Sequence, residues 1–95
     1  MAARVVVACG SGVATSEMVA AKVSLLIEAA GERADVVAVE MSQLDEALEG
    51  ADAYVAVVKT DGSYDVPVIN GVAFVTGMNQ DEELARLLEI VRAAR

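Results

Sequence analysis

The chain has no histidine and no tryptophan, and only one cysteine, one proline and one phenylalanine in 95 residues. The missing histidines remove imidazole acid–base catalysis and imidazole metal ligation together. A single cysteine forms no internal disulfide, which points to a reducing compartment. Alone it builds no zinc site either. With one Phe and two Tyr, the core is expected to be aliphatic. No apolar stretch approaches the ~18–20 residues that span a bilayer. The apolar run after Met1-Ala2-Ala3-Arg4 is too short for a signal peptide. The expectation is a soluble cytoplasmic chain. Positive charge is also scarce: 7 Lys and Arg face 15 Asp and Glu, for a formal charge of −8. Such a chain repels phosphate backbones and anionic membrane surfaces, so neither nucleic-acid binding nor membrane insertion is expected.

What is present suits a compact fold. Residues 1–95 are the length of one small domain, which buries roughly 60–68% of the surface its unfolded chain exposes. The composition is 56% hydrophobic, and those residues are mostly Ala, Val and Leu. Arg4 to Cys9 reads as a Val-rich strand buried on both faces. Thr15 or Ser16 is placed to cap the next helix, whose apolar residues Met18, Val19, Val23, Leu26 and Ile27 recur at helical spacing before Gly31 stops it. Ala34 to Glu40 is a second strand. Ser42 to Glu49 is a short helix, capped by Ser42 and ended by Gly50. Ala53 to Lys59 is a third strand, and residues 60–65 form a loop. Val66 to Ile69 is a short fourth strand, Asn70-Gly71 a turn, and Val72 to Val75 extended. Asn79 and Glu82 suggest a capping box for a last helix with an inner stripe of Leu84, Leu87, Leu88 and Val91. Arg92 and Arg95 lie near its end, where the helix dipole favours them.

The order is βαβαββα, which predicts an α/β fold: a parallel sheet with helices on both faces. Right-handed crossovers leave few arrangements. A flavodoxin-like (Rossmann-like) four-stranded order, 2-1-3-4, is expected. In that order the loops after strands 1 and 3 flank the switch point where ligands bind, and Cys9 and Lys59 both reach it.

The loop Cys9-Gly10-Ser11-Gly12-Val13-Ala14-Thr15-Ser16 is the chain's most informative segment. A thiol stands where a strand ends and a helix begins, and helix N-termini bind phosphate through backbone N–H groups. The same position favours the thiolate over the thiol, whose unperturbed pKa is about 8.5. Gly10 and Gly12 permit close approach of backbone to ligand, and Ser11, Thr15 and Ser16 add hydroxyl donors. A dinucleotide fingerprint needs a third glycine where Thr15 stands. A P-loop needs Gly-Lys-[Ser/Thr], which is absent. A low-molecular-weight cysteine phosphatase needs arginine six residues after its cysteine, where Thr15 stands, so the bidentate phosphoryl clamp is missing. Burial of Cys9 as a small core residue is the plain structural alternative.

Residues Ala8 to Ser16 resemble the phosphorylation loop of the IIB component of the bacterial phosphoenolpyruvate–sugar phosphotransferase system. Val13-Ala14-Thr15-Ser16 favours the galactitol-specific family over the ascorbate and lactose or cellobiose families. The stretch Asp65 to Gly77 is also similar to that family's segment near its fourth strand. The resemblance implies a single IIB domain over residues 1–95 with a four-stranded parallel sheet. It implies a phosphocarrier: Cys9 would take a phosphoryl group from a phosphohistidine on a IIA partner and give it to a sugar or polyol in a membrane IIC partner. Residues 10 to 16 would cradle the phosphate, with Lys59 as electrostatic support and no cofactor or metal. Val13, Ala14 and Met18 would form a small apolar rim for partners. Two rivals remain at this point: a IIB-like regulatory or anion-sensing module, and a small cysteine phosphatase.

Overall fold

A computed structural model describes residues 3–9, 13–57, 64 and 66–94; at 9, 13–16 and 41 it describes the backbone only. Strand β1 (Ala3–Cys9) leads to helix α1 (Val13–Ala29), then β2 (Ala34–Glu40). A 3-10 turn (Met41–Gln43) runs into α2 (Leu44–Leu48), followed by β3 (Ala53–Ala56) and β4 (Val68–Asn70). Helices α3 (Val72–Thr76) and α4 (Gln80–Ala93) complete the order. The four strands form one all-parallel sheet in the order β2-β1-β3-β4, as the alternation of strands and helices predicts.

Strand periodicity divides the core into two layers. Val5 and Val7 of β1 face α1, α3 and α4, packing with Val19, Val23, Ile27, Val55, Ile69, Phe74, Leu87 and Val91. Val6 and Ala8 face the other way, with Leu44, Tyr54 and Ala56. That second layer is closed by α2 and by Tyr64 and Val66, which pack on it. Both faces of β1 are therefore buried, which is why its sequence is a continuous Val run rather than an alternation. The core is not purely aliphatic. Tyr54 and Phe74 are the largest side chains fully enclosed, and Tyr54 meets Tyr64 edge to face at 5.1 Å between centroids.

Glycines set several element ends. Gly31, at φ +81°, closes α1 as a Schellman turn: its N–H donates to Glu28 O, and Glu32 N–H donates to Ile27 O. Glu32 is then buried against α4, where its carboxylate accepts from Arg92 Nε at 2.8 Å. The dipole reading of Arg92 is thus joined by a specific ion pair.

Four local expectations are corrected. Val72–Val75 is helical, not extended. Gly71 N–H donates to Ala56 O at 2.7 Å, Asn70 Oδ1 accepts from Val72 N–H, and Gly77 at φ +83° ends the turn. Helix α1 begins at Val13, so Thr15 and Ser16 lie inside its first turn and do not precede it. Ser42 does not cap α2, because the chain first makes the 3-10 turn; Gln43 stands at the N-cap with no side-chain cap bond. Asn79 stands at the N-cap of α4 in the left-handed region, φ 61°, without a side-chain cap bond. The box with Glu82 is absent, since a capping side chain needs extended backbone at that position.

Strand limits also shift. The fourth strand starts at Val68, with Val66 in a bend. The third ends at Ala56, and residues 58–63 and 65, with the rest of the expected strand and loop, lie outside the described residues. Among the described residues, no helix is long and apolar enough to cross a membrane.

Edge strand β4 is closed by side chains. Asn70 N–H donates to Glu83 Oε1 at 2.7 Å, Arg86 donates to Val68 O, and Arg86 pairs with Glu83 at 3.0 Å. Two polar backbone groups on that edge, Asn70 N–H and Val68 O, are thereby occupied from α4.

Candidate functional site

Cys9 is the last residue of β1, the strand from which the sheet extends both ways. On one side its Cα pairs with that of Glu40, the last residue of β2. On the other, Val57 N–H donates to Ala8 O at 3.1 Å, just before Cys9. The crossover through α1 runs to β2 on one side of β1, while β3 and β4 lie on the other, so Cys9 stands at the carboxyl end of β1, at the topological switch point. Helix α1 starts four positions later and runs for 17 residues. Its first-turn N–H groups have no intrahelical acceptors, and no acidic residue occupies that turn. Helix N-termini of this kind are where proteins commonly bind anions.

A family model described as "PTS system, Lactose/Cellobiose specific IIB subunit" matches residues 4–86. The chain belongs to the IIB subunits of the phosphotransferase system. Among relatives of this IIB chain, the Escherichia coli (strain K12) protein named "Putative phosphotransferase enzyme IIB component SgcB" is 32% identical over 78 residues, covering 82% of this chain and 85% of that protein. The galactitol-specific EIIB components of Escherichia coli O157:H7 and Shigella flexneri are each 25% identical over 93 residues, covering 97% of this chain and 99% of theirs. The family model carries a lactose/cellobiose label, whereas these two near-full-length relatives carry a galactitol label.

In this IIB subunit Cys9 is the last residue of β1, and Val13, Ala14, Thr15 and Ser16 are the first four residues of α1. Their side chains, together with Gly10, Ser11, Gly12 and Lys59, lie outside what the structure describes. Met18 is exposed, so it belongs to the surface and not to the inner stripe of α1.

Two features near the site escaped the sequence. Glu40, exposed at the end of β2, stands opposite Cys9 in register. Lys22 is not a free surface cation: its Nζ donates to Phe74 O at 2.8 Å, tying α1 to α3. Only the strand register could have revealed the first. The second joins residues 52 positions apart, and no local pattern marks it.

Proposed function

We propose that this IIB subunit is a phosphocarrier whose Cys9 accepts a phosphoryl group from a phosphohistidine on a IIA partner. Cys9 then donates it to a polyol of the galactitol type held by a membrane IIC permease. Residues 1–95 act as one IIB domain in this reading, in the cytoplasm, where the thiol stays reduced. The observation that carries the proposal is the position of Cys9: last in β1, at the switch point, four residues before α1, in a chain of the IIB family. The galactitol label of two relatives that match nearly end to end supports the polyol class.

In the first step the Cys9 thiolate attacks phosphorus. An S–P bond forms as the P–N bond breaks; the imidazole nitrogen keeps the electron pair and takes up a proton from solvent, matching the proton the thiol released to solvent on becoming thiolate. In the second step a polyol hydroxyl attacks, an O–P bond forms, the S–P bond breaks and the hydroxyl proton is released. Phosphoryl transfer demands chiefly positioning and stabilisation of charge on the equatorial oxygens. The open N–H groups of α1, with those of residues 10–12, are the proposed donors for thiolate and phosphoryl group alike. Lys59 is the proposed supporting cation.

Incubation with phosphorylated IIA donor, followed by mass-spectrometric mapping, tests the assignment. Phosphate on Cys9, and none on a Cys9→Ser variant, is expected. Phosphate on another residue, or no transfer at all, would remove the basis of the proposal.

A further inference from the structure

Asn70-Gly71 is a dipeptide whose chemistry the carrier reading leaves unused. Asparagine followed by glycine is the pairing most open to intramolecular imide formation, because a residue without Cβ leaves the attacking backbone nitrogen unhindered. Asn70 is exposed and ends β4, and Gly71 stands between it and α3. The fold holds three of the groups on which the reaction depends. Gly71 N–H, the nucleophile, donates to Ala56 O at 2.7 Å. Asn70 Oδ1, on the carbonyl that would be attacked, accepts from Val72 N–H at 3.1 Å, an Asx turn. Asn70 N–H donates to Glu83 Oε1 at 2.7 Å.

Backbone geometry adds to these contacts. Asn70 is the last rung of β4, its Cα paired with that of Ala56. In a strand the side chain stands roughly perpendicular to the sheet, while the Gly71 nitrogen is directed along it to Ala56 O. That nitrogen reaches the side-chain carbonyl carbon only if residue 70 rotates out of the strand and the end of β4 leaves β3. What opposes the rotation comes from α4. Glu83 holds Asn70 N–H, and Arg86 pairs with Glu83 and donates to Val68 O. We propose that Asn70 is a deamidation site, kept closed by the β3–β4 pairing and the Glu83 contact, which reacts when the end of β4 opens locally.

In the open form the Gly71 nitrogen bonds to Asn70 Cγ and gives its proton to solvent. The bond from Cγ to Nδ2 breaks, and ammonia leaves with that electron pair and a proton from water. Water then opens the cyclic imide. Attack at Cγ gives aspartate on the original main chain; attack at the Asn70 carbonyl carbon gives isoaspartate, with the main chain running through the side chain. In both the Gly71 nitrogen regains a proton, so the sum is asparagine and water giving the acid and ammonia. Isoaspartate inserts a methylene group into the main chain just before Gly71. That junction has little slack: a Cβ on Gly71 would stand 2.8 Å from Ala56 O and 2.9 Å from Val55 Cγ1 and Val57 Cγ2. The modified chain restores the Gly71–Ala56 bond only by shifting α3. The site is independent of what Cys9 carries.

The test follows the full chain in mildly alkaline buffer, with and without urea, by peptide mapping. Mass spectrometry reads conversion of the amide to the acid, and chromatography separates isoaspartate from aspartate. Wild type is expected to convert at Asn70 about tenfold faster, or more, in urea than in the folded state, since opening limits the folded rate. Glu83→Ala should speed the folded-state conversion about tenfold and leave the rate in urea unchanged. Arg92→Ala, which weakens the fold at the far end of α4, separates local from global opening: it should leave the folded-state rate at Asn70 at the wild-type value. Asn70→Gln should remove the signal in both media, and the converted chain should unfold at lower urea than the unconverted one. Equal rates with and without urea, or no conversion at Asn70 in urea, overturn the proposal. Equal folded-state acceleration by Glu83→Ala and Arg92→Ala overturns it too, as does a Glu83→Ala chain that converts no faster than wild type.

Discussion

In the proposed carrier, position 15 is where storage of a phosphoryl group would part from its hydrolysis. A cysteine phosphatase clamps the phosphoryl group with an arginine six residues after its nucleophile, and the planar guanidinium stabilises transfer to water. Here Thr15 occupies that place, inside the first turn of α1. In the proposed carrier, neutral donors would hold the phosphoryl group without a charged clamp to speed its loss. Thr15→Arg is therefore expected to shorten the lifetime of phosphocysteine in buffer, followed by intact mass over time; an unchanged lifetime would contradict this role for Thr15. A second residue-scale prediction concerns Gly71. A Cβ there would stand 2.8 Å from Ala56 O and 2.9 Å from Val55 Cγ1 and Val57 Cγ2. Gly71→Ala should cost about 1–3 kcal/mol by overpacking, read by urea denaturation, and a neutral effect would show that β3 and β4 can move apart. The place of Cys9, at a strand end shortly before a helix, was legible in the sequence because the signals for it are local. Lys22 was not, because its partner is brought near only by the fold.

At the scale of elements, α3 shows where local pattern fails. Val72, Ala73, Phe74 and Val75 have the composition of a strand, and a fifth strand is the natural reading. The backbone curls instead because Gly71 is drawn onto Ala56 O, Asn70 takes up the first free N–H, and Gly77 supplies the left-handed stop. Lys22 then fastens the turn to α1. Lys22→Met should speed amide hydrogen exchange across 72–77 while leaving α1 protected; uniform exchange across the chain would mean that the bond carries no local role. The junction of α1, β2 and α4 depends on Arg92, whose guanidinium meets the buried Glu32 carboxylate. Because Arg92 is half exposed, solvent screens part of the attraction. Arg92→Ala is expected to cost about 1–2 kcal/mol in denaturant midpoint, and Arg92→Lys less. By contrast β1, β2, α1 and α4 were readable, since each has either a run or a stripe of apolar residues long enough to fix its period. The helix caps were misread for one shared reason. Ser, Thr and Asn mark the neighbourhood of a helix start, but the cap bond depends on a backbone conformation that sequence does not display.

For the molecule as a whole, the sheet order β2-β1-β3-β4 follows from the alternation of strands and helices and the handedness of crossovers. That order was legible and has a functional consequence: it puts the end of β1 at the switch point. The −8 charge on so small a chain also has a global effect, since self-repulsion destabilises the compact state. The melting temperature should rise as sodium chloride increases from about 0.02 to 0.2 M, and a fall would contradict that reading. The exposure of Met18 was not legible, because exposure is decided by which stripe of α1 the sheet leaves uncovered. The central claim is that Cys9 holds a phosphoryl group and hands it on. Its most direct test starts from chain purified as phosphocysteine and follows the phosphoryl group in two parallel samples. With permease vesicles and galactitol, label should leave Cys9 rapidly and appear as polyol phosphate; in buffer alone it should persist. Equal release to water in both samples, with no polyol phosphate formed, would contradict the claim.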